Sequence, residues 1–155
     1  MIASRIRRAT TEELPGILRI EKRSFGIDAW SSEQFLEYLS RPSRSIFLIW
    51  VSGSVAAGYV LAAVRGTRLD IDSVAVDPRF RGKGIATALL KRAIATARRR
   101  GFTAVSLSVR RDNEAAIHLY RKLGFAPVRR IENYYEDGAP AWRMTLKLAA
   151  FDRTG

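Results

Sequence analysis

The segment RFRGKGIAT, at residues 79–87, combines residue types that could bind an anion. Gly82 and Gly84 let a backbone approach a ligand closely, because glycine carries no side chain. Arg81 and Lys83 add positive charge beside them. A helix-type pattern begins directly after Gly84, and the first N–H groups of a helix lack partners within it. The segment therefore predicts a site for an anion, such as a phosphate, at a helix N-terminus.

Three phosphate-binding patterns compete for this segment. The Walker A pattern G-x-x-x-x-G-K-[ST] is absent from it. The dinucleotide pattern G-x-G-x-x-G would place Thr87 at its third glycine, and residues 106–109 lack the acidic residue that should follow. The third pattern, R/Q-x-x-G-x-G/A, is matched by RGKGIA at residues 81–86, between a strand pattern and a long helix pattern. This third pattern fits best.

With this pattern the chain resembles the GNAT N-acetyltransferase superfamily, and within it the RimI-like N-terminal acetyltransferases. The likeness is strongest in VAVDPRFRGKGIATALL at residues 74–90 and in LSVRRDNEAAIHLYRKLGF at residues 107–125, with a weaker match in NYYEDG at residues 133–138. The resemblance implies the GNAT fold, an α/β fold in which helices flank a mixed β-sheet and two parallel strands splay apart. By position, these are the strands at residues 70–76 and 104–109.

The resemblance also implies an enzyme that transfers acetyl from acetyl-CoA directly to a primary amine. The acceptor that we expect is the α-amine of a peptide or protein N-terminus, and a lysine or small-molecule amine is the alternative. The pyrophosphate of coenzyme A would lie on the amides of residues 82–87, and the backbone of residues 74–76 would hold the pantetheine arm. The residues expected to bind the cofactor are Val74, Ala75, Val76, Arg81, Gly82, Lys83, Gly84, Ile85, Ala86, Thr87, Asn113 and Tyr120.

Tyr120 matches the general acid of the family, which protonates the departing thiolate. In the predicted helix it shares a face with apolar residues, so a core tyrosine with a polar tip is the alternative interpretation. Asn113 matches an asparagine that contacts the cofactor, and it also stands where a helix cap is expected. His118 lies about 200° around the helix from Tyr120, which predicts an exposed side chain.

Ser108 departs from the family, because RimI-like enzymes have a glutamate at this position that serves as general base. A serine hydroxyl without a partner base cannot take a proton from an ammonium group near neutral pH. Asp72 is the predicted replacement, with Asp70 as an alternative, and the other interpretation of both is the solvated face of an edge strand. A strong base is also dispensable for an α-amine, whose pKa of about 7.7–8.0 leaves part of it neutral.

Aromatic residues in two segments are predicted to border the acceptor. Tyr134 and Tyr135 match the NYY of RimI-like proteins, and Trp30, after Phe25, stands where the acceptor-side loop of the family begins. For Tyr134 and Tyr135 the alternative is a place in the core, since aromatic residues are common in strands.

The elements that must position these residues are predicted in the order α-α-β-β-β-α-β-α-β-β, in a single domain at residues 1–155. Capping-box patterns at Thr10 and Ser31 predict two helices, which end at about Ser24 and before Pro42. Strands are predicted at 45–51, 55–64, 67–76, 103–109, 127–135 and 141–148, and further helices at 84–100 and 112–123. Within residues 67–76 the pattern changes from alternating to continuously apolar, which indicates a β-bulge or a shift of the strand from the edge of the sheet to its core.

The charge of the chain indicates which kind of ligand the protein binds. The 155 residues carry a net charge of +12, and the excess lies at residues 79–130, where fourteen lysines and arginines stand against two acids. This favours a polyanionic ligand, either the phosphorylated cofactor or nucleic acid, but no RNA- or DNA-binding signature supports nucleic acid. A non-catalytic acyl-CoA- or nucleic-acid-binding protein is the alternative to an enzyme.

Residue types and segments that the sequence lacks exclude other classes of protein. The chain has no cysteine and one histidine, so thiolate chemistry is excluded and we expect no metal site. It has no apolar segment long enough to span a bilayer, and its N-terminus lacks the apolar stretch of a secretory signal. We therefore expect a cytoplasmic protein that does not insert into membranes.

Overall fold

The computed structural model of the chain describes residues 4–149, in which helices cover both faces of a seven-stranded β-sheet. The elements follow in this order: β1 (Ser4–Arg8), α1 (Leu14–Phe25), α2 (Ser32–Leu39), β2 (Ser45–Ser52), β3 (Val55–Arg65), β4 (Arg68–Val76), α3 (Ile85–Arg99), β5 (Ala104–Arg110), α4 (Glu114–Lys122), β6 (Ala126–Ile131) and β7 (Ala141–Lys147). The predicted α/β arrangement is confirmed. None of the helices in this part of the chain combines the length and apolar character that a bilayer crossing requires.

The sheet is mixed, because β4 and β5 run parallel while the other neighbouring strands run antiparallel. The strand order is β1-β2-β3-β4-β5-β7-β6, so β4 and β5 lie inside the sheet. Their pairing runs only from Arg68 opposite Ala104 to Ile71 opposite Leu107, although both strands continue beyond it. The two strands therefore separate after four paired residues, which confirms the predicted splay.

A β-bulge lies in β4 where the two strands separate. Ala62 of β3 is opposite Ile71, and Leu61 is opposite Ser73, so Asp72 is an extra residue on β4. A bulge bends its strand and increases the local twist. The predicted bulge is confirmed, and its position at Asp72 allows β4 to turn away from β5.

Two hydrophobic clusters occupy the two faces of the sheet. On one face, α3 and α4 cover the sheet, and Leu89 of α3 belongs to the same buried cluster as Val60 of β3. On the other face, α1 and α2 cover it, and Ile17 of α1 belongs to the same cluster as Tyr59 of β3. Because neighbouring side chains of β3 are buried on opposite faces, this strand has a continuous apolar sequence and not an alternating one.

The helix starts follow the predicted caps. Ser31 accepts a hydrogen bond from the N–H of Gln34, and the Gln34 side chain accepts one from the N–H of Ser31 at 2.8 Å. The capping box of Thr10 and Glu13 is also present, but it opens a short 3-10 turn at residues 11–13. The first α-helix begins after that turn, at Leu14.

β1 is missing from the predicted order, and this is the main correction to the fold. Its sequence, SRIRR, has one apolar residue, Ile6, and therefore no alternating pattern. The strand forms because its backbone pairs with β2, from Ser4 opposite Ser52 to Arg8 opposite Leu48. An edge strand of this kind depends on main-chain hydrogen bonds to its neighbour and leaves a weak signal in its own side chains.

Two further predictions are wrong. The predicted strand at 127–135 is too long, because β6 ends at Ile131 and Asn133 adopts a left-handed φ of +50° in the turn that follows. The interpretation of Asp70 and Asp72 as the solvated face of an edge strand also fails. β4 lies between β3 and β5, and Asp70 is buried.

Candidate active site

The loop before α3 presents an open helix N-terminus. Gly82 and Gly84 adopt left-handed φ angles of +77° and +78°, which glycine tolerates without strain. A side-chain carbon at either position would meet no atom within 4 Å, so there is open space beside this backbone. Ala88 N–H donates to Gly84 O at 3.0 Å and closes the first turn of α3. The N–H groups of residues 85–87 precede it and have no acceptor within the helix.

The cations of this loop have different surroundings. Arg81 Nε donates to a backbone carbonyl of β4 at 3.2 Å. Lys83 Nζ lies 5.5 Å from the centre of the Phe80 ring. Arg79 pairs with the fully buried Asp77 at 3.1 Å, and this hydrogen-bonded partner holds the pKa of Asp77 below its usual value. Arg79 thus anchors the loop, and Arg81 and Lys83 are exposed on it.

A cavity of about 600 Å³ extends from this loop towards the gap between β4 and β5, and we call it the α3-side cavity. Its lining includes Val74, Ala75, Val76, Arg81, Gly82, Gly84, Ile85, Ala86, Thr87, Asn113 and Tyr120. The structure therefore brings together the residues predicted to bind the cofactor. The exception is Lys83, which lies near Phe80 and outside the lining.

A second cavity, of about 830 Å³, lies on the side of α1, and we call it the α1-side cavity. Its lining includes Glu21, Asp28, Trp30, Arg65, Asp72, Ser73, Ser108, Arg110, Tyr134, Tyr135 and Arg143. The two cavities share the residues Ser24, Phe25, Val74, Asn113, Ala116 and Tyr120. They therefore meet where β4 and β5 separate, and the gap in the sheet joins its two faces.

Tyr120 of α4 stands at this junction. Its side chain is buried and packs edge-on against Phe125, with ring centres 5.9 Å apart. Burial raises the pKa of the Tyr120 hydroxyl to about 12, so the group keeps its proton at neutral pH. Tyr120 is thus a core residue that also lines both cavities.

The neighbours of Tyr120 on α4 match their expected positions. Asn113 caps the helix, because its Oδ1 accepts a hydrogen bond from Ala116 N–H at 3.1 Å, and it also lines both cavities. The predicted exposure of His118 is confirmed.

Ser108 of β5 contacts a buried cluster of charges. Arg143 of β7 donates to Ser108 Oγ at 3.3 Å and to Asp70 Oδ1 at 2.6 Å. Asp70 also pairs with Arg68 at 2.9 Å and with Arg65 at 3.2 Å. Three guanidinium groups therefore contact the Asp70 carboxylate, and Asp70 is in the lining of neither cavity described above.

Asp72 is more accessible than Asp70. It lines the α1-side cavity, and its Oδ2 accepts a hydrogen bond from Arg65 at 3.1 Å. Burial raises the pKa of Asp72, and the positive charge of Arg65 opposes this shift.

Glu21 of α1 is an acidic group of the α1-side cavity that the sequence analysis missed. It is 2% exposed, and its carboxylate accepts hydrogen bonds from Ser73 Oγ at 2.8 Å, from Trp30 N–H at 3.3 Å and from the Tyr59 hydroxyl. Burial raises the pKa of Glu21 to about 7, although the hydrogen bonds from Ser73 and Trp30 lower it.

A sequence signal for Glu21 was present. Ile17, Ile20, Glu21 and Ser24 occupy positions i, i+3, i+4 and i+7, so two polar residues lie on the apolar face of α1. Ser24 Oγ is buried as well and has no hydrogen-bond partner in the part of the chain that the structure describes. Polar groups on the buried face of an amphipathic helix indicate a site.

The predicted aromatic residues meet at the α1-side cavity. Trp30 stacks with Tyr38, with ring centres 6.0 Å apart, and Tyr134 packs edge-on against Tyr135 at 4.9 Å. The loops that carry them are joined by a hydrogen bond from the N–H of residue 136 to Asp28 at 3.4 Å. Tyr134 and Tyr135 lie in the turn after β6 and not in a strand. The two loops thus form the aromatic wall of this cavity.

Comparison with known proteins assigns the family. The acetyltransferase (GNAT) family model matches residues 13–125. The chain belongs to the GNAT acetyltransferase family. The matched residues include the loop before α3, both splayed strands and Tyr120.

Relatives that match most of the chain agree with this assignment. An N-alpha-acetyltransferase of Sulfurisphaera tokodaii is 30% identical to this GNAT protein, over 93% of each chain. The ribosomal protein bS18-alanine N-acetyltransferase of Escherichia coli K12 is 34% identical, over 81% of this chain and 82% of the relative. The crystal structure of the ribosomal-protein-S18-alanine N-acetyltransferase from Escherichia coli has a TM-score of 0.87 at 28% identity and covers 99% of both chains. The predicted fold and activity are confirmed: the protein is an N-acetyltransferase.

The raised pKa of Glu21 predicts a pH-dependent stability. The ordinary pKa of the glutamate is 4.5, and in the folded protein it is about 7. Between pH 4.5 and about pH 7, Glu21 therefore keeps a proton in the folded protein that the unfolded chain releases. As pH rises through this range, the free energy of unfolding falls, by up to about 3 kcal/mol. Glu21→Gln should abolish this fall. Urea unfolding of both proteins from pH 4.5 to 8 measures it, with Glu37→Gln, which removes an exposed carboxylate, as control. Equal pH dependence in wild type and Glu21→Gln would contradict the assignment.

Proposed function

We propose that the protein acetylates the α-amine of a peptide or protein N-terminus, with acetyl-CoA as donor. The observation that carries the proposal is the meeting of two cavities through the gap between β4 and β5, with Tyr120 at the junction. One cavity begins at an anion-binding helix N-terminus, and the other has an aromatic wall formed by two loops. A donor and an acceptor can thus reach the same point from opposite faces of the sheet.

The α3-side cavity fits coenzyme A. The N–H groups of residues 85–87 and the open backbone at Gly82 and Gly84 suit a pyrophosphate. Beyond Ile71, β4 pairs with β3 along one edge, while its other edge no longer pairs with β5. The backbone groups of residues 74–76 on that free edge suit an extended amide chain such as pantetheine. When bound, acetyl-CoA would supply the acetyl thioester, and a backbone N–H of this edge would stabilise negative charge on its carbonyl oxygen.

The transfer itself requires three events at the junction. The amine nitrogen forms a bond to the acetyl carbon, the carbon–sulfur bond breaks, and the sulfur takes a proton. Tyr120 is suited to give that proton, because its raised pKa keeps the hydroxyl protonated until a thiolate develops beside it. The proton that the amine loses must go to a base, for which Asp72 is a candidate on the wall of the acceptor cavity.

The α1-side cavity supports a peptide acceptor. Its wall contains Trp30 from the loop after α1 and Tyr134 and Tyr135 from the loop after β6, so the cavity lies between two loops at the edge of the molecule. The relatives in Sulfurisphaera tokodaii and Escherichia coli are named for N-alpha and alanine acetylation. An α-amine also needs less help from a base than a lysine amine, because its pKa is lower by more than about 2 units.

Acetylation of matched peptides tests the acceptor. We expect turnover of acetyl-CoA with a peptide that has a free N-terminal alanine and an internal lysine, and no turnover with the same peptide when its N-terminus is blocked. Mass spectrometry locates the acetyl group, and thiol release gives the rate. Acetylation of the lysine in the blocked peptide, or turnover only with small amines, would contradict the proposal.

Substitution of Gly84 tests the cofactor loop. Gly84→Asp should raise the dissociation constant of coenzyme A at least tenfold relative to Gly84→Asn, about 1.4 kcal/mol, because a negative charge is placed beside the pyrophosphate. Asp and Asn have similar shapes and both tolerate the left-handed backbone, so the pair isolates the charge. Calorimetric titration gives the two constants. Equal affinities would remove the loop from the coenzyme A site.

Tyr120→Phe tests the proton donor. The change keeps the buried ring and deletes the hydroxyl, so kcat should fall by about 100-fold or more while the affinity for acetyl-CoA stays nearly constant. Steady-state kinetics and calorimetric titration measure the two effects separately. Wild-type turnover in this variant would show that Tyr120 is only a core residue.

A further inference from the structure

We propose that Glu21 is the general base of the enzyme, which takes a proton from the ammonium group of the acceptor. The inference rests on the proposed function and assigns the one step that the family position, Ser108, cannot perform. The ammonium N–H bond breaks, its electrons stay on nitrogen, and the proton bonds to a Glu21 carboxylate oxygen. The freed electron pair then attacks the acetyl carbon, the carbon–sulfur bond breaks, and the departing sulfur takes its proton from Tyr120. The second proton that nitrogen loses as the amide forms returns to the Tyr120 oxygen, so the net products are the amide, the thiol and a protonated Glu21.

The position of Glu21 carries the proposal. Glu21 lines the α1-side cavity, together with Ser108 and Tyr120. It accepts a hydrogen bond from Ser73 of β4, the residue directly before the free edge that is suited to bind the thioester. A proton acceptor at this place faces an amine that approaches the thioester from the α1 side of the sheet.

The other carboxylates on this cavity wall also have partners. Asp72 pairs with Arg65, and Asp28 accepts the N–H that joins the two aromatic loops. Unlike Asp72, Glu21 has no lysine or arginine nitrogen within 4.0 Å of its carboxylate among residues 4–149. A carboxylate without a cation is a stronger proton acceptor than one in an ion pair, because no positive charge stabilises its ionised form.

The groups that surround Glu21 are mainly neutral. Tyr59 from β3 is the titratable group in direct contact, and Ser73 from β4 and the Trp30 N–H from the loop after α1 are neutral donors. The other titratable or charged groups on the same cavity wall are Asp28, Arg65, Asp72, Arg110, Tyr120, Tyr134, Tyr135 and Arg143. From α2, Tyr38 packs against Trp30.

The strength of the base suits the acceptor. With its pKa raised to about 7 by burial, part of Glu21 is ionised near neutral pH, where an α-ammonium group, with a pKa of about 7.7–8.0, still holds its proton. Proton transfer between groups of similar pKa is efficient, which is the usual reason for tuning a carboxyl towards neutrality.

Glu21 also has a structural role, and the test must separate the two. It joins the end of α1 to β3, to β4 and to the loop that carries Trp30. Glutamine has the same shape and keeps one acceptor oxygen, so Glu21→Gln preserves most of this packing and removes the ability to take a proton. Glu37→Gln makes the same chemical change on an exposed face of α2 and serves as the matched control.

The pH dependence of kcat/KM for a free α-amine peptide decides the matter. At pH 7 we expect Glu21→Gln to lose about 100-fold or more, as for removal of a general base, while Glu37→Gln equals wild type. The loss should shrink to about tenfold or less near pH 9.5, where the amine is already neutral. Coenzyme A affinity, measured by calorimetry, should not change. A purely structural role would lower activity by the same factor at every pH.

Each contrary outcome has a definite meaning. A constant loss across the pH range, or a wild-type profile in Glu21→Gln, overturns the assignment of Glu21. If Asp72→Asn loses its activity at pH 7 while Glu21→Gln keeps it, the general base is Asp72 instead. Absence of wild-type turnover with every α-amine peptide overturns the proposed function itself, and the assignment of Glu21 with it.

Discussion

The separation of β4 and β5 inside the sheet is the constraint on which the site depends. Parallel strands normally satisfy each other's backbone N–H and C=O groups, and a buried edge without partners is costly. Here the pairing stops at Ile71 and Leu107, yet both strands remain extended, because β3 pairs with β4 up to Val76 and β7 pairs with β5 up to Arg110. The outer neighbours thus maintain an open gap whose free edges need a ligand or water. That gap joins the two cavities of the enzyme.

The charge cluster around Asp70 lies at the closed end of this gap, where β4 and β5 are still paired. Asp70 is opposite Ser106 in the last paired part of the two strands, and its partners come from three strands: Arg65 of β3, Arg68 of β4 and Arg143 of β7. Asp70 is the buried member of this cluster, and without its arginines the carboxylate would be an uncompensated charge in the sheet. The cluster also determines the environment of Ser108, because Arg143 donates to its hydroxyl. The position that carries the base in RimI-like enzymes is thereby linked to a structural ion pair.

The parts of the site that follow local rules were predictable from the sequence. The glycine loop, the cap of α4 and the bulge in β4 each depend on neighbouring residues, and all three are present. The parts that depend on distant contacts were not. β1 has a single apolar residue and exists through its pairing with β2. The three arginines on Asp70 and the donors on Glu21 come from separate elements, so no spacing along the chain indicates them.

The bulge at Asp72 links the cofactor side of the gap to the proposed base. In a regular strand, residues i and i+2 face the same side, so Ser73 would face α3 and α4 together with Ile71. Because Asp72 is inserted, the alternation is reset, and the Ser73 hydroxyl instead contacts Tyr59 and Glu21 on the α1 side. A single extra residue thus does two things at one point of the chain. It allows β4 to leave β5, which opens the gap where we propose that the thioester binds, and it turns a hydroxyl towards the carboxylate of α1. The general base can therefore lie on a helix and not on β5, because the geometry that opens the donor cavity also brings that helix to its edge.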